Sequence, residues 1–185
     1  MTFPVILADP PWSFSNQGNR CSPDYAETYK TAPLESILCM GATVKEAASL
    51  NALLFLWCPN ALVLDGTATK TSRAWGFEPK QLIPWLKVCA DGKTPRIGGG
   101  NYTRVCTEML VLASRGHGSR LVKSRGEPGV ILAPRTEHSA KPDASYEMIE
   151  RLVEGPYLEL FARRKFSEKW VVLGDQAPNG KVNLL

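Results

Sequence analysis

The sequence predicts an α/β fold, a doubly wound and mostly parallel sheet built as a single domain over residues 1–185. Three observations predict it. Short apolar runs recur at 5–8, 52–58, 81–88, 107–113, 130–132, 157–162 and 170–173. Most are continuous rather than alternating, the pattern of strands covered on both faces. Stretches with helical spacing or helix-start chemistry fall between several of them, as strand–helix units require. With 185 residues, 44% hydrophobic and 22% charged, the chain can bury a core in one domain and does not resemble a disordered segment.

The first run, Val5-Ile6-Leu7-Ala8, ends at Asp9-Pro10-Pro11-Trp12. Neither proline can donate to a sheet ladder, and each pushes the residue before it out of the helical region. Asp9 is therefore expected on a stiff turn at the carboxyl end of a strand. A carboxylate, a free Pro10 carbonyl and the Trp12 ring within four residues suit a flat molecule bearing an exocyclic NH2, such as adenine. The two oxygen acceptors would take its N–H groups, and Trp12 would stack on its ring.

Residues 13–32 are polar, with Tyr25 and Tyr29 among them, and read as a loop long enough to act as a lid. Pro33-Leu34-Glu35-Ser36-Ile37 predicts a short helix with proline in its first turn. Residues 44–49 continue it or form another. After the second strand, Asn60 is expected to cap a helix running to about Ala74, which Gly76 terminates. Trp57 reads as core, and Trp85 as either core or an acceptor-side contact.

Residues 90–104 form an irregular segment carrying Lys93, Arg96, Arg104 and Tyr102 around three consecutive glycines. Cations interleaved with an aromatic ring suit phosphates and bases. Arg115 to Arg120, with Lys123 and Arg125, is a second basic, glycine-rich stretch. Residues 135–151 read as a loop and a helix, with Lys141 just before it, Pro142 and Asp143 in its first turn, and Tyr146, Ile149, Leu152 and Val153 facing the core. Ala162 ends the next strand and would let a ligand approach the backbone.

The net charge of +4 permits a nucleic-acid partner without requiring one. Five scattered cysteines without a Cys-x-x-Cys pair, and two histidines, give no metal-site pattern; no metal is expected, and reduced thiols in a cytoplasmic setting are. No leader and no membrane-length apolar run is read, so no membrane partner is expected.

Asp9-Pro10-Pro11-Trp12 resembles the DPPW signature of a family of adenine-N6 methyltransferases. The family includes the catalytic subunit of the mRNA adenosine methyltransferase and bacterial and phage enzymes acting on DNA. The resemblance continues in order through Leu54-Phe55-Leu56-Trp57, Trp75-Gly76-Phe77, Ile83-Pro84-Trp85-Leu86-Lys87, His138-Ser139-Ala140-Lys141-Pro142-Asp143, Leu158-Glu159-Leu160-Phe161-Ala162-Arg163 and Leu173-Gly174-Asp175-Gln176. It implies a Rossmann-like methyltransferase sheet, circularly permuted, with the DPPW strand first and the cofactor-binding strand last. It implies S-adenosylmethionine as cofactor and S-adenosylhomocysteine as product. Asp9, Pro10, Pro11 and Trp12 would be catalytic. Lys141 would hold the methionine carboxylate, with Asp9, Phe161, Ala162, Arg163, Asp175 and Gln176 completing the cofactor contacts. Trp12, Tyr29, Trp85, Glu108 and the cations Lys93, Arg96 and Arg104 would meet the substrate. DNA is the preferred substrate over RNA, in a bacterial or phage-infected cell, and the rival reading is a catalytically silent subunit that only binds nucleic acid. Loose sequence specificity or help from a second subunit is expected, with a homodimer or a second subunit as the protein partner. Two departures touch the cofactor. Arg164-Lys165-Phe166 replaces Pro-His-Asn, and Asp175 replaces asparagine. The chain also begins just before the first strand, without the segment that lines the cofactor adenine in the eukaryotic enzymes. Weaker cofactor affinity, or a covering role for Phe166, follows.

Overall fold

The computed structural model describes residues 1–13, 31–100, 102–135 and 140–178. Among these, seven strands form one sheet: β1 (Phe3–Ala8), β2 (Ala48–Cys58), β3 (Glu78–Val88), β4 (Thr107–Arg115), β5 (Ile131–Pro134), β6 (Tyr157–Leu160) and β7 (Trp170–Leu173). Their order is β5-β3-β4-β2-β1-β6-β7. β1 runs parallel to β2 and β6, β6 to β7, and β3 to β5, whereas β4 is antiparallel to both its neighbours. The first strand and the sixth thus lie side by side, one strand in from the β7 edge of the sheet. The reversal of β4 brings its first residues to the end where the other strands finish.

The continuous apolar runs explain the layering. In β2, Leu54, Leu56 and Cys58 pack into one core and Leu53, Phe55 and Trp57 into the other, because successive side chains leave a strand on opposite faces. β1 divides likewise, Ile6 and Ala8 on one side and Val5 and Leu7 on the other. Each such buried side chain contributes on the order of 2 kcal/mol, so both faces must be covered. Helices α1 (Leu34–Cys39), α2 (Gly41–Ala47), α3 (Asn60–Leu64) and α4 (Thr67–Ala74) supply the first core; α5 (Asp143–Leu152) supplies the second. The sheet is therefore doubly wound.

The helix expected from Asn60 to Ala74 is two helices. Asp65 and Gly66 separate them, with Gly66 at φ +84°, a conformation that suits glycine and cannot continue α3. Asn60 is not the cap. Pro59 stands at that position, and the Asn60 side chain instead donates to Thr107 Oγ1 at 3.1 Å. Pro33 and Pro142 stand just before α1 and α5 rather than inside them. β6 stops at Leu160, so Phe161 and Ala162 lie beyond the strand. No helix among the described residues is long and apolar enough to cross a membrane, and no group of three or more histidine, cysteine or acidic side chains there could hold a metal.

Candidate active site

Asp9 lies one residue past β1. Its N–H donates to the Leu160 carbonyl at 3.4 Å, which extends the ladder with β6 by one step before the prolines end it. The turn is fixed from three sides. The Trp12 N–H donates to the Pro10 carbonyl at 2.8 Å, Ala32 N–H to the Pro11 carbonyl at 2.8 Å, and the Trp12 indole N–H to the Trp57 carbonyl at 2.8 Å. The sequence suggests a free Pro10 carbonyl; in the structure one of its two lone-pair directions is taken by Trp12 and one remains.

A chain of alternating charges runs away from Asp9. Lys141 Nζ stands 3.0 Å from Asp9 Oδ2 and 2.7 Å from Glu108 Oε1, and Lys87 Nζ stands 3.1 Å from Glu108 Oε2. The side chains are 27% (Asp9), 10% (Lys141), 19% (Glu108) and 25% (Lys87) exposed. Four elements deliver them: the ends of β1 and β3, the start of the reversed β4, and the segment before α5. Two ammonium groups also sit over indole rings, Lys141 at 5.4 Å from Trp57 and Lys87 at 4.9 Å from Trp85.

Burial and pairing compete within this chain. Burial raises the Asp9 pKa, and Glu108 adds to the rise; Lys141 opposes it, with a smaller contribution from Arg163, and the balance stays above the ordinary aspartate value. Burial also acts to raise Glu108, but Lys141 and Lys87 outweigh it and hold its pKa down. For Lys141, burial acts to lower the pKa, and the two carboxylates overcome it and hold the ammonium protonated.

Beyond β6, Phe161 adopts φ +62°, a backbone region that side chains other than glycine rarely occupy. Ala162 is buried and its N–H donates to the Leu173 carbonyl at 3.0 Å. Gly174 passes so close that a Cβ there would lie 2.6 Å from the Ala162 carbonyl oxygen. Within β6, Glu159 is 6% exposed. Its Oε1 accepts from the Tyr146 hydroxyl at 2.8 Å, while Oε2 is buried without a hydrogen-bond partner. Burial pushes the Glu159 carboxyl up to about 7. Phe166 stacks on Tyr146 at 4.8 Å between ring centroids, and Arg164 lies 5.2 Å over the same ring and pairs with Asp143. Arg163, Asp175 and Gln176 are exposed along this edge.

The structure thus gathers Asp9, Lys141 and Glu108 into one cluster and places Phe161 and Ala162 at the end of the neighbouring strand. Both tryptophans of the expected substrate set are buried. Trp12 is 6% exposed; its indole N–H pins the turn, and the residue lines a cavity with Leu34, Ile37 and Leu62. Trp85 is core rather than a substrate contact. It is buried, donates to the Ala133 carbonyl at 3.0 Å and packs edge-on against Trp57 at 6.0 Å. Tyr29, Tyr25, His138 and most of the expected lid lie outside the described residues. Lys93, Arg96, Arg104 and Tyr102 are exposed on an arm that leaves β3 and returns to β4. Its base is closed by the Lys87 N–H bond to the Cys106 carbonyl at 2.8 Å, and its start by Arg96 N–H to the Lys87 carbonyl at 2.8 Å. Lys87 and Glu159 were not foreseen. The signals were a lysine two residues past Trp85, hence on the same strand face, and a single acid between two leucines of a buried strand.

The chain is similar to known proteins over nearly its whole length. The family model MT-A70 matches residues 3–176. An N(6)-adenosine-methyltransferase MT-A70-like protein of Arabidopsis thaliana is 28% identical over 184 residues, covering 95% of this chain and 24% of the relative. The human N(6)-adenosine-methyltransferase catalytic subunit METTL3 is 28% identical over 181 residues, covering 94% and 28%. The type II methyltransferase M.MunI of a Mycoplasma species is 24% identical over 200 residues, covering 98% and 81%. The chain therefore spans about a quarter of the length of the two eukaryotic relatives and most of the length of the bacterial one.

Proposed function

The chain belongs to the MT-A70 family, and from that premise we propose that it methylates the exocyclic N6 amine of adenine in DNA with S-adenosylmethionine as cofactor. The observation that carries the reading is the Asp9 carboxylate, held by the buried Lys141 ammonium one residue beyond β1 and beside the end of β6. An acid and a carbonyl fixed on a rigid turn can accept both N–H groups of a planar amine. That amine is a poor nucleophile because its lone pair is delocalised into the ring. Acceptors already in place stabilise it as positive charge develops on nitrogen, without reorganising during the reaction. The proton then leaves to solvent after the N–C bond has formed.

The residues in and beyond β6 fit the cofactor. Within β6 the unpartnered Glu159 oxygen suits an ammonium, and past the strand Asp175 suits ribose hydroxyls. Lys141, Phe161, Ala162, Arg163 and Gln176 would complete the hold. What the cofactor supplies when bound is a methyl on a cationic sulfur, a leaving group that needs no metal. In this reading the sheet is circularly permuted, with the DPPW strand first and the cofactor strand last.

The choice of DNA is supported by the type II methyltransferase relative, which this chain matches over most of that protein's length. The adenosine methyltransferase relatives favour RNA as the second reading. The exposed cations Lys93, Arg96 and Arg104 would follow the phosphates of either, and a duplex target base would have to be flipped or unpaired, at a cost of a few kcal/mol. A homodimer or second subunit would supply sequence preference. Incubation with DNA and RNA separately, followed by mass spectrometry of the nucleosides, tests the proposal. N6-methyldeoxyadenosine from DNA is expected. Methylation of RNA alone would move the assignment to the second reading, and no transfer to either would reject both.

A further inference from the structure

We infer that Lys87 is a positioning residue for this reaction, acting through Glu108 and Lys141 on the aim and charge of the Asp9 carboxylate. The inference rests on the proposed methyl transfer for its consequence and on geometry for its cause. Glu108 spends one oxygen on each lysine, Oε2 to Lys87 at 3.1 Å and Oε1 to Lys141 at 2.7 Å. Lys141 then meets Asp9 at 3.0 Å. Two acids and two ammonium groups cancel, and every link is a direct contact in a largely buried setting. Without Lys87 the remaining three groups carry one uncompensated negative charge. Glu108 would draw the Lys141 ammonium more strongly to itself, and Asp9 would lose part of the cation that stands 3.0 Å from it.

The surroundings of Asp9 give the same sign. Lys141 and Arg163 favour its ionised form, and Glu108 opposes it. Glu159 on β6, Tyr146 on α5 and Cys58 at the end of β2 also feel its charge, and none of them is a cation. Removing a positive charge two links away therefore makes Asp9 easier to protonate. Lys87 does not face outward as a free phosphate contact would. Its ammonium is turned onto Glu108 and over the Trp85 ring, at the base of the arm whose own cations are exposed.

Single-turnover methyl transfer across pH, with wild type, Lys87→Met and Lys87→Arg, tests this. The Met variant is expected to lose on the order of tenfold in rate, the size of coupling through a shared charge network. Its acid limb should move to higher pH by about half a unit or more, and Arg should restore both. In a Glu108→Gln background, Lys87→Met should add nothing further. An unmoved acid limb, with the loss confined to KM for nucleic acid and a shallower salt dependence, would overturn the inference and make Lys87 a phosphate contact. Should the Met variant misfold, Lys87→Gln is read in its place. If the wild type methylates no nucleic acid, the proposed function fails on its own. The inference is then decided by carboxyl-carbon NMR titration of Asp9, where an unchanged titration in the Lys87 variant rejects it.

Discussion

Two charged regions start from the same strand ends and are built on opposite terms. In the chain Asp9–Lys141–Glu108–Lys87 every charge faces an opposite one at 2.7–3.1 Å and is largely withdrawn from water. On the arm between β3 and β4, Lys93, Arg96, Arg104 and Tyr102 are exposed. The first arrangement fixes geometry and would be damaged by the loss of any member. The second would attract a polyanion at long range in the proposed function, and would tolerate change one residue at a time. Burial decides which role a lysine or arginine has, since the same ion pair that gives little at the surface becomes costly to break inside.

Breaking the buried region should have the largest consequences. Asp9→Ala is expected to lower methyl transfer by about a thousandfold or more, as loss of a preorganised group at developing charge does, while circular dichroism and the melting curve remain those of a folded protein. Retained activity would remove Asp9 from the reaction. Lys141→Met leaves two carboxylates without their shared cation. It should cost about 3–5 kcal/mol of stability, read by urea unfolding, together with cofactor affinity read by calorimetry.

Glu159 sharpens the comparison as a buried acid with one carboxylate oxygen on the Tyr146 hydroxyl and the other without a hydrogen-bond partner. Its pKa is raised in the fold, so the folded protein binds the proton more tightly than the unfolded chain. Its contribution is therefore most favourable at low pH and declines as pH rises from the ordinary glutamate value of 4.5 toward about 7. Glu159→Gln should flatten that slope and gain about 3 kcal/mol at pH 8 relative to wild type, measured by unfolding at several pH values. The smallest effect on the fold belongs to the arm. Replacing Lys93, Arg96 and Arg104 by glutamine should leave stability within about 0.5 kcal/mol. It should reduce the slope of log K against log salt by roughly 2–3 for nucleic acid. An unchanged slope would detach the arm from binding.

The same contrast explains what could be read in the residues. The runs in β1 and β2 are legible because a strand buried on both faces has few other ways to be written. The division of Leu53, Phe55 and Trp57 from Leu54, Leu56 and Cys58 follows from alternation alone. Asp9 and Lys141 were legible as separate motifs, but their 3.0 Å contact was not, since it depends on how β1 meets the segment before α5 across 132 positions of chain (141 − 9). Lys87 was missed because a lysine at a strand end ordinarily turns to solvent. For Trp85 the residues leave core and substrate contact equally open, because an indole near a reactive motif suits stacking and packing alike, and the tertiary fold buries it. The break at Asp65 and Gly66 is legible in the residues, since Asp-Gly marks a turn; the later glycine, Gly76, is a competing stop signal for the same helix.

The placement of the tryptophans gives the molecule an intrinsic optical reporter. All five are buried, and two, Trp57 and Trp85, carry the ammonium groups of Lys141 and Lys87 over their rings. Emission from the folded protein should be blue, and any ligand that draws either lysine away from its indole should register as a change in fluorescence without a label.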